Sequence, residues 1–276
     1  MVSIMTETQT HSAVRKGYAR VAKDKASCCG PTGCGTTAEA DIAKQIGYSD
    51  KDLVGPAADG NLGLGCGNPT AIADLKPGEV VVDLGSGAGF DALLAAEKIG
   101  RKGRFIGVDM TPEMLERART NAVNAGYART VEFREGLIEA LPVASGSADV
   151  IISNCVINLS PDKTAVFGEA LRVLKPGGRL VISDILLTEP LPPEIAQSAA
   201  ALIGCIAGAE TEEVYLGHMR DAGFTDIEFT RQPADAMFGL VSADPVVGAA
   251  IAEYGIERAR KVAGTVFSYT IEATKP

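Results

Sequence analysis

The residues of this sequence with chemistry to offer are a glycine loop bracketed by two aspartates, and six cysteines set largely among glycines. Val81-Val-Asp-Leu-Gly-Ser-Gly-Ala-Gly-Phe90 follows a strand-like run and opens a helix-like one, the setting a nucleotide loop needs. Glycines at 85, 87 and 89 spell G-x-G-x-G rather than the G-x-G-x-x-G of dinucleotide enzymes. Close backbone approach is provided for, but the pyrophosphate spacing is absent. Asp109 lies one βα unit further on, where a carboxylate can accept both hydroxyls of a ribose. Asp83, just ahead of the loop, would repel a phosphate and attract a cation. A ligand with a ribose and a positive charge is S-adenosylmethionine, and these residues point to it as cofactor.

The cysteines are Cys28, Cys29, Cys34, Cys66, Cys155 and Cys205. A cysteine taken singly is usually a small buried hydrophobe, and in a reducing cytosol these six are not expected to form a permanent disulfide framework. Cys155 ends an apolar strand-like run, at the crevice where ligands bind in open α/β sheets. Cys66 sits in Asn61-Leu-Gly-Leu-Gly-Cys-Gly-Asn-Pro69, Cys205 in Ile203-Gly-Cys-Ile-Ala-Gly-Ala209, and Cys34 in a turn-rich N-terminal stretch. Brought together above the cofactor they would make a soft thiolate site for a thiophilic element. Structural zinc prefers paired ligands a few residues apart, which only Cys28, Cys29 and Cys34 approach. The two histidines add little: His11 falls in a ragged N-terminus, and His218 reads as a surface or packing residue on a helix. Trivalent arsenic needs only three sulfurs and keeps a lone pair that can attack a methyl group without a general base.

The elements that must position these groups alternate. Strands are expected over 79–83, 104–109, 131–134, 149–153 and 179–183. Helices are expected at Phe90–Ile99, from an N-cap at Thr111, and at 163–174, the last stopped by Lys175-Pro-Gly-Gly178. Such alternation implies a doubly wound α/β fold with a mostly parallel sheet covered on both faces. Further helices are expected over 193–203 and 211–221, and the segments 225–231 and 265–273 should form an antiparallel pair at one edge, giving seven strands. A short helix is possible over 39–46; the two glycine-dense stretches before residue 70 read as loops. The chain divides into a Cys/Gly-rich segment at 1–70, a cofactor-binding domain at 71–190 and a C-terminal helical region with antiparallel strands at 191–276. With 26 Lys plus Arg against 35 Asp plus Glu, the net charge is −9, which argues against nucleic-acid or anionic-membrane partners. The most apolar stretch, 198–209, is too short to span a bilayer, and the N-terminus lacks the apolar core of a secretion signal. A cytoplasmic enzyme, monomeric by default, is expected.

The loop and its aspartates resemble those of the class I S-adenosylmethionine-dependent methyltransferases, which implies a Rossmann-like fold. Carried over by position, the resemblance puts Asp83, Gly85, Ser86, Gly87 and Gly89 around the methionine and ribose. It puts Asp109 on the ribose, Met110 beside the adenine, Leu137 and Ile138 over it, and Asn154 where the donor faces the acceptor. Four segments resemble the arsenite methyltransferases more closely: Asn61 to Pro69, Val108-Asp-Met-Thr-Pro112, Ser153-Asn-Cys-Val-Ile-Asn-Leu159 and Cys205-Ile-Ala-Gly-Ala209. That resemblance implies Cys66, Cys155 and Cys205 as the ligands of As(III), Cys34 as a redox cysteine, and a C-terminal region that completes the arsenic site. The implied reaction is methyl transfer to arsenite or its thiol conjugates, with glutathione or thioredoxin as reductant and detoxification as the outcome. Its rivals are a methyltransferase acting on carbon or oxygen of a small metabolite, and a non-enzymatic thiol protein that senses a metalloid or binds zinc.

Overall fold

The computed structural model describes residues 6–24, 40, 43–192, 208–234 and 262–276. Cys28, Cys29, Cys34, Cys205 and the helix expected over 193–203 lie outside them. The ordered elements run α1 (Glu7–Asp24), α2 (Pro69–Ile72), β1 (Val80–Leu84), α3 (Phe90–Ile99), β2 (Arg104–Asp109), α4 (Pro112–Asn124), β3 (Val131–Glu135), β4 (Ala148–Asn154), α5 (Lys163–Val173), β5 (Leu174–Leu187), α6 (Glu212–Ala222), β6 (Thr225–Pro233) and β7 (Val266–Thr274). Short 3₁₀ turns stand at Gly55–Gly60 and Ile157–Leu159.

One seven-stranded sheet has the order β3-β2-β1-β4-β5-β7-β6. The first five strands pair in parallel, and β7 pairs antiparallel with both β5 and β6. The antiparallel pair expected at one edge is therefore present, with the reversed strand in the penultimate place. Alternate residues of each strand feed opposite cores. Val82, Leu84, Ile106, Ile151 and Leu180 meet Phe167 of α5 and Tyr215 of α6 on one face. Val81, Phe105, Val150 and Val181 meet Leu93 of α3 and Leu115 of α4 on the other. Burial on both faces explains why the strands read as continuous apolar runs. The strand order reverses between β1 and β4, the switch point at which such sheets bind ligands.

Three local expectations need correcting. The N-terminus is not ragged: α1 spans 18 residues, opened by a reciprocal box in which Thr6 N–H donates to Gln9 Oε1 (2.9 Å) and Gln9 N–H to Thr6 Oγ1 (3.4 Å). Thr111 stands at the N-cap of α4 but caps nothing with its side chain; its own N–H donates to Asp109 Oδ1 (2.8 Å) instead. Lys175-Pro-Gly-Gly178 ends α5 yet belongs to β5, where Gly178 is tied to the C-terminus through Lys275 N–H (2.9 Å to Gly178 O). Of the short helix expected over 39–46, residues 40 and 43–45 are helical. Among the described residues no helix is long and apolar enough to cross a membrane.

Candidate active site

Above the C-terminal ends of β1, β2 and β4 lies a cleft walled by the glycine loop, Asp83, Asp109, Met110, Leu137 and Cys155, among others. The loop turns tightly because Gly85, Gly87 and Gly89 all have positive φ (70°, 50° and 85°), conformations glycine adopts without strain. A Cβ at Gly85 would run into Val156, whereas one at Gly87 would enter open space. Asp109 is held in place by two main-chain donors, Gly87 N–H on Oδ2 (3.0 Å) and Thr111 N–H on Oδ1 (2.8 Å).

Three carboxylates face this loop, Asp83 and Asp91 buried and Asp109 half-buried. Burial, followed by the negative charges of Asp91 and Asp109, pushes Asp83 well above the usual carboxylate range. Burial raises Asp91 against hydrogen bonds from Tyr48 and Asn154, and raises Asp109 against its backbone donors. The Ser86 hydroxyl is buried and has no hydrogen-bond partner among the described residues. A cleft with raised carboxylates, an orphaned hydroxyl and room over a glycine backbone fits a ligand that brings a cation and sugar hydroxyls, as S-adenosylmethionine does. Ile138 lies beside Leu137 on the same wall.

The cysteine side of the cleft is assembled by glycines as well. Cys66 lies between Gly65, where a Cβ would press on the Asn154 amide (2.8 Å), and Gly67, where it would press on Ser183 Oγ (2.6 Å). Only a bare backbone can lie this close to the ends of β4 and β5. Both main-chain groups of Cys66 are pinned: its N–H donates to Asn154 Oδ1 (2.9 Å), and Ser268 Oγ donates to its carbonyl (2.8 Å). Cys155 leaves β4 with φ +60°, a costly conformation for a side-chain-bearing residue that clusters at functional sites. Its N–H donates to Ser183 O (2.8 Å).

The structure brings Cys66 and Cys155 together, with Cα atoms 5.4 Å apart, and joins them in a disulfide. That separation is one a disulfide spans. A carboxylate oxygen of Asp184 and the two sulfurs all lie within 4.8 Å of one another, and all three residues are buried. Burial pushes Asp184 up to about 7 against the Ile185 N–H and Tyr215 hydroxyl donors.

Asn154, expected from the sequence, lies in the cleft, whereas Tyr48, Asp91 and His11 were missed. The Asn154 amide is occupied by the protein, donating towards Tyr48 Oη (3.1 Å), Gly67 O (2.9 Å) and Asp91 Oδ2 (3.1 Å). Tyr48 donates to Asp91 Oδ1 (2.7 Å). His11 reaches the cleft from α1 and pairs with Glu139 Oε1 (3.0 Å); the Thr6/Gln9 box was the signal that could have revealed its helix. His218 bonds with Thr164 Oγ1 (3.0 Å) on α5 and lies 3.2 Å from Glu210, in keeping with a packing role.

A parallel sheet with one reversed strand, a glycine loop at its switch point and a cation-seeking carboxylate define the class I S-adenosylmethionine methyltransferases. Residues 75–235 match the family model described as "Methyltransferase domain". The chain is 43% identical to an arsenite methyltransferase of Halobacterium salinarum, over all of this chain and 69% of that protein. It is 44% identical to one from Aquipseudomonas alcaligenes, over 59% of this chain and 48% of that protein, so it spans about half the length of that relative. The crystal structure of an arsenic(III) S-adenosylmethionine methyltransferase from Chlamydomonas reinhardtii superposes with a TM-score of 0.60 at 32% identity, covering 86% of this chain and 72% of that one. The chain belongs to the arsenite methyltransferase family, and it is an S-adenosylmethionine-dependent transferase.

Proposed function

We propose that this chain methylates arsenic by holding As(III) on the sulfurs of Cys66, Cys155 and Cys205 at the edge of the cofactor cleft. The observation that carries the reading is the meeting of Cys66 with Cys155, which lines the cleft together with Asp83 and the glycine loop. S-adenosylmethionine supplies an electrophilic methyl group on a positively charged sulfur. Asp83 attracts that charge; Asp109 accepts from the ribose hydroxyls; Gly85, Ser86, Gly87 and Gly89 approach the ligand through backbone and hydroxyl. Met110, Leu137 and Ile138 flank the adenine, and Asn154 forms the wall between donor and acceptor. The nucleophile is the lone pair of thiolate-bound arsenic, so the chain needs to orient rather than to deprotonate, and proximity supplies most of the acceleration.

Cys66 and Cys155 must be thiols to take up arsenic, so their disulfide is opened first by a thiol reductant, glutathione or thioredoxin, by exchange. Methylation raises arsenic formally to the pentavalent state, and Cys34 takes part in returning electrons to it. The setting is a reducing cytoplasm and the outcome detoxification. The test is arsenic speciation after incubating the pure protein with arsenite, S-adenosylmethionine and glutathione. Methylated arsenic is expected from the native chain, with at least a hundredfold loss in Cys155→Ser and Cys205→Ser. Arsenite methylation that survives Cys155→Ser intact overturns the thiol site. Cofactor binding with no methylated arsenic redirects the search to carbon or oxygen acceptors.

A further inference from the structure

Asp184 has no part in the reaction as derived so far, yet it brings a carboxylate oxygen within 4.8 Å of the sulfurs of both Cys66 and Cys155. It is fully buried, and the two cysteines themselves belong to an apolar cluster with Leu159, Ile185 and Leu187. Three donors fix it: Asn158 Nδ2 (2.8 Å) and Ile185 N–H (2.9 Å) on Oδ1, and the Tyr215 hydroxyl (3.0 Å) on Oδ2. A carboxylate offers about four acceptor positions, so these donors leave capacity, chiefly on Oδ2. A small hydroxylated ligand held on the two sulfurs would put its hydroxyl into this apolar surround, where an unpaired donor is costly.

We propose that Asp184 is a substrate-binding residue, whose carboxylate accepts a hydrogen bond from the third hydroxyl of arsenous acid while Cys66 and Cys155 hold the other two valences. The inference rests on the arsenic reading above. Once the disulfide is reduced, each thiol displaces one hydroxyl: an As–O and an S–H bond break, an As–S bond forms, and the proton leaves with the hydroxyl as water. Two such exchanges give a dithioarsenite with one As–OH and release two waters, with no change of oxidation state. Asp184 orients that hydroxyl until a third sulfur replaces it. The site thus favours As(III) species that carry a hydroxyl on the third valence over those that carry carbon there.

The test uses the full chain with Cys205→Ser, which keeps arsenic on two sulfurs, reduced with a phosphine. Calorimetry then compares arsenite with phenylarsine oxide, whose third valence is an aryl carbon. Adding Asp184→Asn is expected to lower arsenite affinity relative to phenylarsine oxide about tenfold, or ~1.4 kcal/mol. An unchanged ratio overturns the role of Asp184. If neither arsenical binds while Asp184 is intact, the two-sulfur site itself fails, and the proposed function with it. If Asp184→Asn also abolishes S-adenosylmethionine binding, the fold has been lost and Tyr215→Phe takes its place. By freeing Oδ2 of a competing donor, that change should raise the arsenite to phenylarsine oxide ratio, and an unchanged or lower ratio overturns the proposal.

Discussion

Asp83 destabilises the free protein while no cation sits beside it. Its folded-state pKa lies well above the unfolded value, through burial and then through Asp91 and Asp109. Between those two values the folded chain holds more protons than the unfolded one, so stability falls as pH rises through that window. Asp83→Asn keeps the shape and removes the charge. The ligand-free variant is expected to melt about 2–4 °C higher at pH 7.5, for a gain of roughly 1 kcal/mol, and to bind S-adenosylmethionine at least tenfold more weakly. Thermal denaturation and calorimetric titration check this; a lower Tm with unchanged affinity would make Asp83 a purely structural group. Asp83 and Asp109 could be read from sequence because both lie at strand ends within one βα repeat of the glycines. Asn154 with Cys66, and Asp184 with Asn158, are pairs 88 and 26 residues apart. No local pattern encodes either pair, because the pairing follows from the order of the strands.

The same distinction holds between elements. The stretch from β1 to α5 was legible because each strand and helix there buries apolar residues at its own period. The insertion of β7 between β5 and β6 was not, since antiparallel pairing with β5 that runs from Leu187 with Val266 to Arg179 with Thr274 leaves only alternating segments as its trace. Helix α1 went unread although Val14, Tyr18 and Val21 recur at helical spacing behind a capping box. It lies over the cleft: His11, Val14 and Tyr18 line it, Val14 and Val21 are buried, and Arg15 and Lys23 pair with Glu135 (3.7 Å) and Glu113 (3.1 Å). These surface pairs contribute little, so the buried valines hold the helix down. Val14→Asp, which buries a charge without a partner, is expected to undock α1 and speed S-adenosylmethionine release at least tenfold, with the unfolding transition of the sheet retained. Stopped-flow dissociation and circular dichroism check it; an unchanged release rate would mean that α1 does not cover the ligand.

Across the whole molecule two sets of carboxylates pull stability in opposite directions with pH. On the surface, Glu169 is held below its usual range by Arg172, and Glu132 is brought down to about 2 by Arg134 and then Arg104. Their stabilisation is present at neutral pH and is lost only as pH falls below the ordinary carboxylate range, and at these solvent-screened positions it is small. In the cleft Asp83, Asp91 and Asp109 are all raised, so the free fold loses stability as pH climbs above that range. A bound cation favours their ionised forms and reverses that loss. The rise in Tm produced by a fixed excess of S-adenosylmethionine should therefore be larger at pH 8 than at pH 5, because binding to the folded state alone adds stability that grows with the logarithm of affinity. In Asp83→Asn the pH dependence should flatten. Scanning fluorimetry across pH, with and without ligand, measures both. A shift equal at pH 5 and pH 8 would mean that the ligand's positive charge is not met by these carboxylates, and that the cleft recognises its sugar and base alone.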